Sequence, residues 1–511
     1  MKYYENYVEF NLSTDKSCRT IFDGDLDVDN IIGAMRLFNP GTDIVAGRTL
    51  IFLDEIQEYP RAKEALKSFT IDGRYDVISS GSMLGVDLPR NRGDEEYPNA
   101  EQGAEPMEPT GYVEYLTMYA LDFEEFCWAN GTSEEIIHVV RECINRRLRL
   151  EPAFLDRFKT IFRDFMLVGG MPEAVQSFVD EKDYSKVGKI QRDILESCRK
   201  DIIRYNTGAD RMKTLDCFES IPAQLSESNK KYTFSRIDNG KSRNSATKYK
   251  DNLFWIEGAG YGILVRSLTE ISKPLRGHEV RDQFKVYLSD TGMLMEMYGS
   301  ASKQSLYSGD LSFNKGAITE NVVAECIRKT GRMPRYYRKN NGPSMMDIDF
   351  VIELGNEIAA IEVKSGKNRE APSISKVGRF FNVDRRIMLE ESNIYVSEDG
   401  IEHYPLFAAG FIGEMESKDP ACPEFRSRTL GHPLRRGMRD RATVHRTCVP
   451  IQPRQKADRD NSSDRFATVP AHTMESWGLG PLFRFRFQCE RLYRTKATIA
   501  TARITMMAMT T

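Results

Sequence analysis

TLIFLDEIQEYPRAKEALKSFTIDGRYDVISSGS, residues 49–82, is the stretch that decides the fold class. Four apolar residues, Leu50 to Leu53, run into Asp54 and Glu55, as in a buried parallel strand whose carboxyl end faces a site. RAKEALKSFTIDG has the make-up of a helix, and YDVISSGS of a second buried strand entering a Ser/Gly turn. Strand, helix and strand joined by short links imply a parallel sheet with a crossover helix.

The acidic strand end suggests a chemistry. Nucleotide hydrolysis needs Mg²⁺ held through oxygen ligands and an acceptor that orients the attacking water. A strand stopping at Asp-Glu offers both at the carboxyl edge of a sheet, where ligands bind. In this Walker B arrangement Asp54 serves the metal and Glu55 the water. The neighbouring strand ends in Ser79-Ser80-Gly81-Ser82, so Ser80 or Ser82 would stand beside the γ-phosphate as a sensor. The plainer alternative is a strand capped by two solvated acids next to an ordinary turn. No GxxxxGK[ST] string, the loop that cradles phosphates, precedes Asp54; Gly24, Gly33, Gly41 and Gly47 stand apart.

At 511 residues the chain exceeds a single core, and several domains are expected. With 40% hydrophobic and 29% charged residues, no long apolar run and no signal-peptide pattern, it reads as a cytoplasmic protein without a membrane span. The nine Cys are scattered singly, which argues against a zinc site or a disulfide framework. A net charge of −3 conceals a split, because residues 421–511 hold fifteen Arg and two Lys against seven acids.

Beyond the first strands, residues 91–111 are polar and rich in Glu, Pro and Gly, as a surface loop is. Residues 110–210 carry apolar positions at helical spacing. Within them GGMPEAV (169–175) is either a tight helix–helix turn with Pro172 in the first turn or a helix N-terminus open to an anion. Residues 215–275 gather Lys230, Lys231, Arg236, Lys241, Arg243, Lys248 and Lys250 with Tyr232, Tyr249 and Trp255. A winged helix bound to DNA phosphates and a solvated basic face are both compatible with that composition.

A second α/β pattern follows, from FKVYLSDTGML through ITENVVAECIRKTG to DIDFVIEL and EIAAIEVKSGK. Asp349, then Glu362 and Lys364 in an ExK string, is the pattern of PD-(D/E)xK nucleases. Glu362 and Lys364 project from one face of a strand. Asp349 and Glu362 could hold Mg²⁺ while Lys364 orients a water, and Glu320 on the preceding helix is a further acidic candidate. A structural remnant or a binding surface is the alternative.

Taken together, IFDGDLDVDNII, TLIFLDEIQEYPRAKEALKSF, YDVISSGSMLGV, YVEYLTMYALDFEEFCWANG, FMLVGGMPEAVQSFV, QRDILESCRKDIIRY, FKVYLSDTGML, ITENVVAECI and DIDFVIELGNEIAAIEVKSGK resemble the AAA+ ATPases of bacteria and archaea that carry a C-terminal domain of unknown function, number 4143. The resemblance spans about residues 5–413. It implies ATP and Mg²⁺ as ligands, Asp54 and Glu55 as Walker B, and Ser80 or Ser82 as sensor. In that family a strand and a P-loop come before the region matching Tyr3, and the family pattern ends near Phe411. Asp347 stands where the family usually has Glu, and the acidic insert at 94–108 is longer than usual.

The expected architecture is an α/β multidomain protein: a truncated AAA+ core with a partial P-loop NTPase parallel sheet (1–110), a helical region (111–210), a winged-helix-like segment (211–280), a nuclease-like α/β domain (281–413) and a basic tail without sustained period (414–511), disordered or foreign. The expected function is that of an ATP-binding ATPase acting on nucleic acid, its ATP site incomplete. A nucleotide-independent DNA-binding or Mg²⁺-dependent nuclease module, and a non-functional gene fragment, are the other readings. A sheet lacking its first strand would expose an edge, for which an oligomer or protein partner would be the cover.

Overall fold

The structure is a computed structural model, and it describes residues 4–81, 111–227, 229–237, 245–299, 302–305, 315–342, 345–365, 372–415 and 504–508. The expected β-strand at Thr49 is present as β2 (Thr49–Asp54), whose first five residues are buried. It lies between β1 (Asn6–Asn11) and β3 (Asp76–Gly81), all parallel, with Asn11 opposite Asp54 and Leu53 opposite Ser79. The crossover helix is α2 (Pro60–Asp72), which opens on a proline and closes at Gly73 in the left-handed region. With α1 (Val28–Phe38) it shares an apolar core in which Ile31 and Phe69 meet Val8, Phe10, Ile51 and Leu53.

β4 (Glu114–Met118) belongs to the same sheet but does not pair with β3. Between them lies β13 (Ile504–Ala508), parallel to both, with Met506 opposite Ser80 on one side and Leu116 on the other. The order is β1-β2-β3-β13-β4. These five residues fall in the stretch for which the sequence predicts no regular period. Their run of Ile, Thr, Met, Met and Ala is nonetheless apolar enough for an interior strand.

Residues 123–205 form the expected helical region: α3 (Phe123–Ala129), α4 (Glu134–Arg146), α5 (Pro152–Val168), α6 (Pro172–Glu181) and α7 (Tyr184–Tyr205). Asp122 and Glu125 close a capping box on α3. Phe123 packs edge-on against Phe162 with ring centroids 5.0 Å apart. At the α5–α6 turn Gly169 has φ +75, and a side chain on it would overlap the Asp290 carboxylate. Asp290 accepts the Gly170 N–H at 2.7 Å and also caps the helix that begins at Thr291. Of the two readings of GGMPEAV, the structure shows the tight turn.

The remaining described strands build one eight-stranded mixed sheet, ordered by the strands that start at Tyr395, Glu402, Arg385, Glu357, Met346, Arg335, Gly262 and Glu279. Helices α8 (Asp210–Leu225) and α9 (Ser245–Gly258) lead into the hairpin β5 (Gly262–Leu268) and β6 (Glu279–Leu288). This hairpin is part of the large sheet, since β5 pairs with β7 (Arg335–Lys339). The boundary expected at 280 therefore falls inside β6. Helices α10 (Thr291–Tyr298) and α11 (Lys315–Lys329) follow, then β8 (Met346–Leu354), β9 (Glu357–Val363), α12 (Pro372–Phe380), β10 (Arg385–Glu390), β11 (Tyr395–Val396) and β12 (Glu402–Pro405). Apolar clusters cover both faces, with Tyr287, Phe350 and Ile361 in one and Ile348, Val351 and Met388 in the other. Any polar group on the central strands is thus forced to find a partner inside the protein.

Among the described residues, no helix is long and apolar enough to cross a membrane. The described cysteines carry free thiols, and all but Cys143 are buried.

Candidate functional site

Two acidic sites were expected from the sequence, and their surroundings differ. At the carboxyl edge of the parallel sheet, Asp54 is gripped from both neighbouring strands. The Asn11 amide donates to its Oδ2 at 2.7 Å, and the Ser80 hydroxyl donates to its Oδ1. Asn11 is itself fixed, because its Oδ1 accepts the backbone N–H groups of Ser13 and Thr14 at 3.0 and 2.9 Å. The next residue, Glu55, adopts φ 54 and ψ 46, a left-handed conformation that costs a non-glycine residue about 1 kcal/mol or more. The chain turns there, and the Gln57 amide donates to Glu55 Oε2. Glu9 on β1 has its pKa raised by burial and by the charge of Asp54.

Of the four residues expected here, Asp54, Glu55 and Ser80 come together, while Ser82 lies outside the described residues. Sequence reading missed Asn11, whose only signal is an Asn at the end of the neighbouring parallel strand. A link to the helical region closes the margin: Glu58, in the turn after Glu55, takes Arg204 at 3.3 Å and Tyr205 at 3.5 Å from the end of α7.

The second site sits within the eight-stranded sheet. Glu320 comes from α11, Asp349 from β8, Glu362 from β9, and Lys364 from the residue that follows β9. The structure brings all four together and adds three residues that were not expected. Lys285 of β6 has its ammonium 3.4 Å from Glu320 and 3.6 Å from Asp349. Lys230 reaches Glu320 at 2.7 Å, and the Tyr287 hydroxyl donates to Glu320 at 2.8 Å. Lys364 pairs with Glu362 Oε1 at 2.7 Å, and Asp349 Oδ2 accepts the Val363 N–H at 3.0 Å. The other oxygen of Glu362 is buried and has no hydrogen-bond partner.

The electrostatics divide the three acids. Burial opposes ionisation of Glu320, but Lys285 and Lys230 outweigh it and bring the carboxyl down to about 2. Burial and the charge of Glu320 push Asp349 up to about 6. Burial, then Asp349, push Glu362 up to about 8. Burial acts to lower Lys285, yet Glu320 and Asp349 raise it above its ordinary value. Opposed shifts within one buried cluster mark a candidate functional site.

The oxygen donors alone would suit a hard cation. Among the described residues, however, no group of three acidic, His or Cys side chains is arranged to hold a metal. Lys285, 3% exposed, lies between two of the acids instead.

Three described members of the basic stretch expected to meet DNA form ion pairs with acids of the chain. Lys230 serves Glu320, Arg236 serves Glu227, and Lys250 serves Asp282. Lys241 and Arg243 lie outside the described residues.

Comparison with known families places two segments. Residues 159–304 match a domain of unknown function (DUF8612), and residues 315–407 match another domain of unknown function (DUF4143). No curated protein and no solved structure matches the chain. Lys230, Lys285 and Tyr287 fall in the first matched segment, and Glu320, Asp349, Glu362 and Lys364 in the second. The two segments thus share one sheet and one buried site, while Asp54, Glu55 and Ser80 lie in neither.

Proposed function

We propose that the chain is an ATPase of the AAA+ type, with MgATP as its substrate at the carboxyl edge of the β1–β4 sheet. The observation that carries this reading is Asp54, clamped by Asn11 and Ser80 from the strands on either side, with Glu55 held left-handed next to it. Strain at a single non-glycine residue beside a fixed carboxylate is the kind of feature a catalytic edge retains. Asp54 and Ser80 supply oxygens suited to the Mg²⁺ that accompanies ATP, and that ion neutralises phosphate charge. Glu55 orients the attacking water and accepts its proton. Ser80 keeps the Asp54 carboxylate aimed at the crevice.

The test is MgATP binding and phosphate release by the full chain beside its Asp54→Ala and Glu55→Gln variants. Asp54→Ala should lose Mg²⁺-dependent binding, whereas Glu55→Gln should keep binding and lose turnover. Nucleotide binding that is indifferent to Asp54 would sink the reading. For the second site no metal-dependent cleavage is proposed, because its residues as folded do not fit a metal.

A further inference from the structure

We infer that Lys285 is the resident cation of the Glu320–Asp349–Glu362 cluster, holding the place a divalent ion would take, so that the folded chain excludes Mg²⁺ and Mn²⁺ there and removal of Lys285 opens the site to them. Three elements converge on this one ammonium: β6 carries it, α11 brings Glu320 at 3.4 Å, and β8 brings Asp349 at 3.6 Å. The Tyr336 ring centroid lies 5.2 Å from the ammonium. A buried ammonium is tolerated only when carboxylates surround it, and the carboxylates are tolerated for the same reason. Each acid is matched by a lysine: Glu320 by Lys230 and Lys285, Asp349 by Lys285, Glu362 by Lys364.

Glu362 is the second, independent pointer to a ligand. Its side chain is 8% exposed and its Oε2 is buried without a partner, beside Asp349. An oxygen left over in a closed cluster is a coordination position in waiting. The separations around Lys285 exceed the metal–oxygen distance of about 2.1 Å that Mg²⁺ requires, so a small inward movement of Glu320 and Asp349 must accompany its replacement. Removing Lys285 favours that movement, because Asp349 then lacks its cation and Glu320 keeps only Lys230.

The experiment uses the full chain carrying Asp54→Ala, which removes the sheet-edge site from the readout. Mn²⁺ binding is followed by loss of the free-ion paramagnetic resonance signal, and thermal unfolding is recorded with and without Mn²⁺. The parent should take up no Mn²⁺ that depends on Glu362. Adding Lys285→Ala should create a site binding Mn²⁺ about tenfold tighter or more than the parent does, with a raised Tm, and a further Glu362→Gln change should abolish it. Lys285→Met serves as a second variant of similar volume, and both can be refolded with Mn²⁺ present. Parent binding that vanishes with Glu362→Gln would overturn the inference. So would failure of both Lys285 variants to bind Mn²⁺ or to be rescued by it.

Discussion

The two acidic sites of this chain are built from the same residue types and reach opposite electrostatic states. At the sheet edge, Asp54 is held by an amide and a hydroxyl, neutral donors that leave its charge to be answered by something arriving from outside. Within the eight-stranded sheet, three acids are answered by lysines of the chain itself. Location explains the contrast. An acid at a strand terminus keeps access to water, whereas an acid on a strand covered on both faces must bring its own counter-charge. The first arrangement is prepared for a cation; the second already contains one.

The largest effect should come from unbalancing the closed site. Without divalent ions, Lys285→Ala is expected to destabilise the protein by about 3–5 kcal/mol, the usual result of stripping one partner from a buried pair, as read by chemical denaturation. A loss below about 1 kcal/mol would mean the cluster is wetter than its burial indicates and would erase the contrast.

Catalysis sharpens the other side. Glu55→Gln should lower turnover of MgATP by about 10²-fold or more while leaving stability nearly unchanged. An equal fall in nucleotide binding would move Glu55 from water activation to ligand binding.

Next comes pH. Glu362 is ordinarily half-ionised at 4.5, and in the folded protein this is pushed up to about 8. Between those values the folded state holds a proton that the unfolded chain has released, so this group's contribution to stability falls as pH rises through the window. Glu362→Gln should flatten that fall, and denaturation midpoints across the window would show it. A slope unchanged by the substitution would show that Glu362 ionises normally.

Asp54→Asn is expected to cost only about 1 kcal/mol of stability, the scale of one or two hydrogen bonds at a partly exposed site. Smallest of all, Arg204→Ala should cost under about 1 kcal/mol, because Arg204 is half exposed and its pair with Glu58 is screened by water.

How much of this was legible in the sequence follows from range. β2, α2 and β3 are contiguous and carry their own periodicity, a proline start and a glycine stop, so their order was readable, and with it the placing of Ser80 on the strand beside Asp54, though not the hydrogen bond between them. The ExK string and Asp349 lie on adjacent antiparallel strands, and their meeting with Glu320 was also within reach. Lys285 was not. FKVYL reads only as part of a strand, and it is the covering of both sheet faces that makes its lysine a buried cation. The junction of β5 with β7 escaped for a similar reason, since a hairpin announces its turn but not the third strand beside it. β13 pairs with β3 across more than four hundred residues of chain, a contact no local pattern encodes.

The most direct measurement is a calorimetric titration of the full chain with ATP in the presence and absence of Mg²⁺, repeated on Asp54→Asn and Glu362→Gln. Mg²⁺-dependent binding that is lost in Asp54→Asn and kept in Glu362→Gln is the expected result. No binding at millimolar ATP, or binding that survives Asp54→Asn unchanged, would contradict an ATPase site at the carboxyl end of β2.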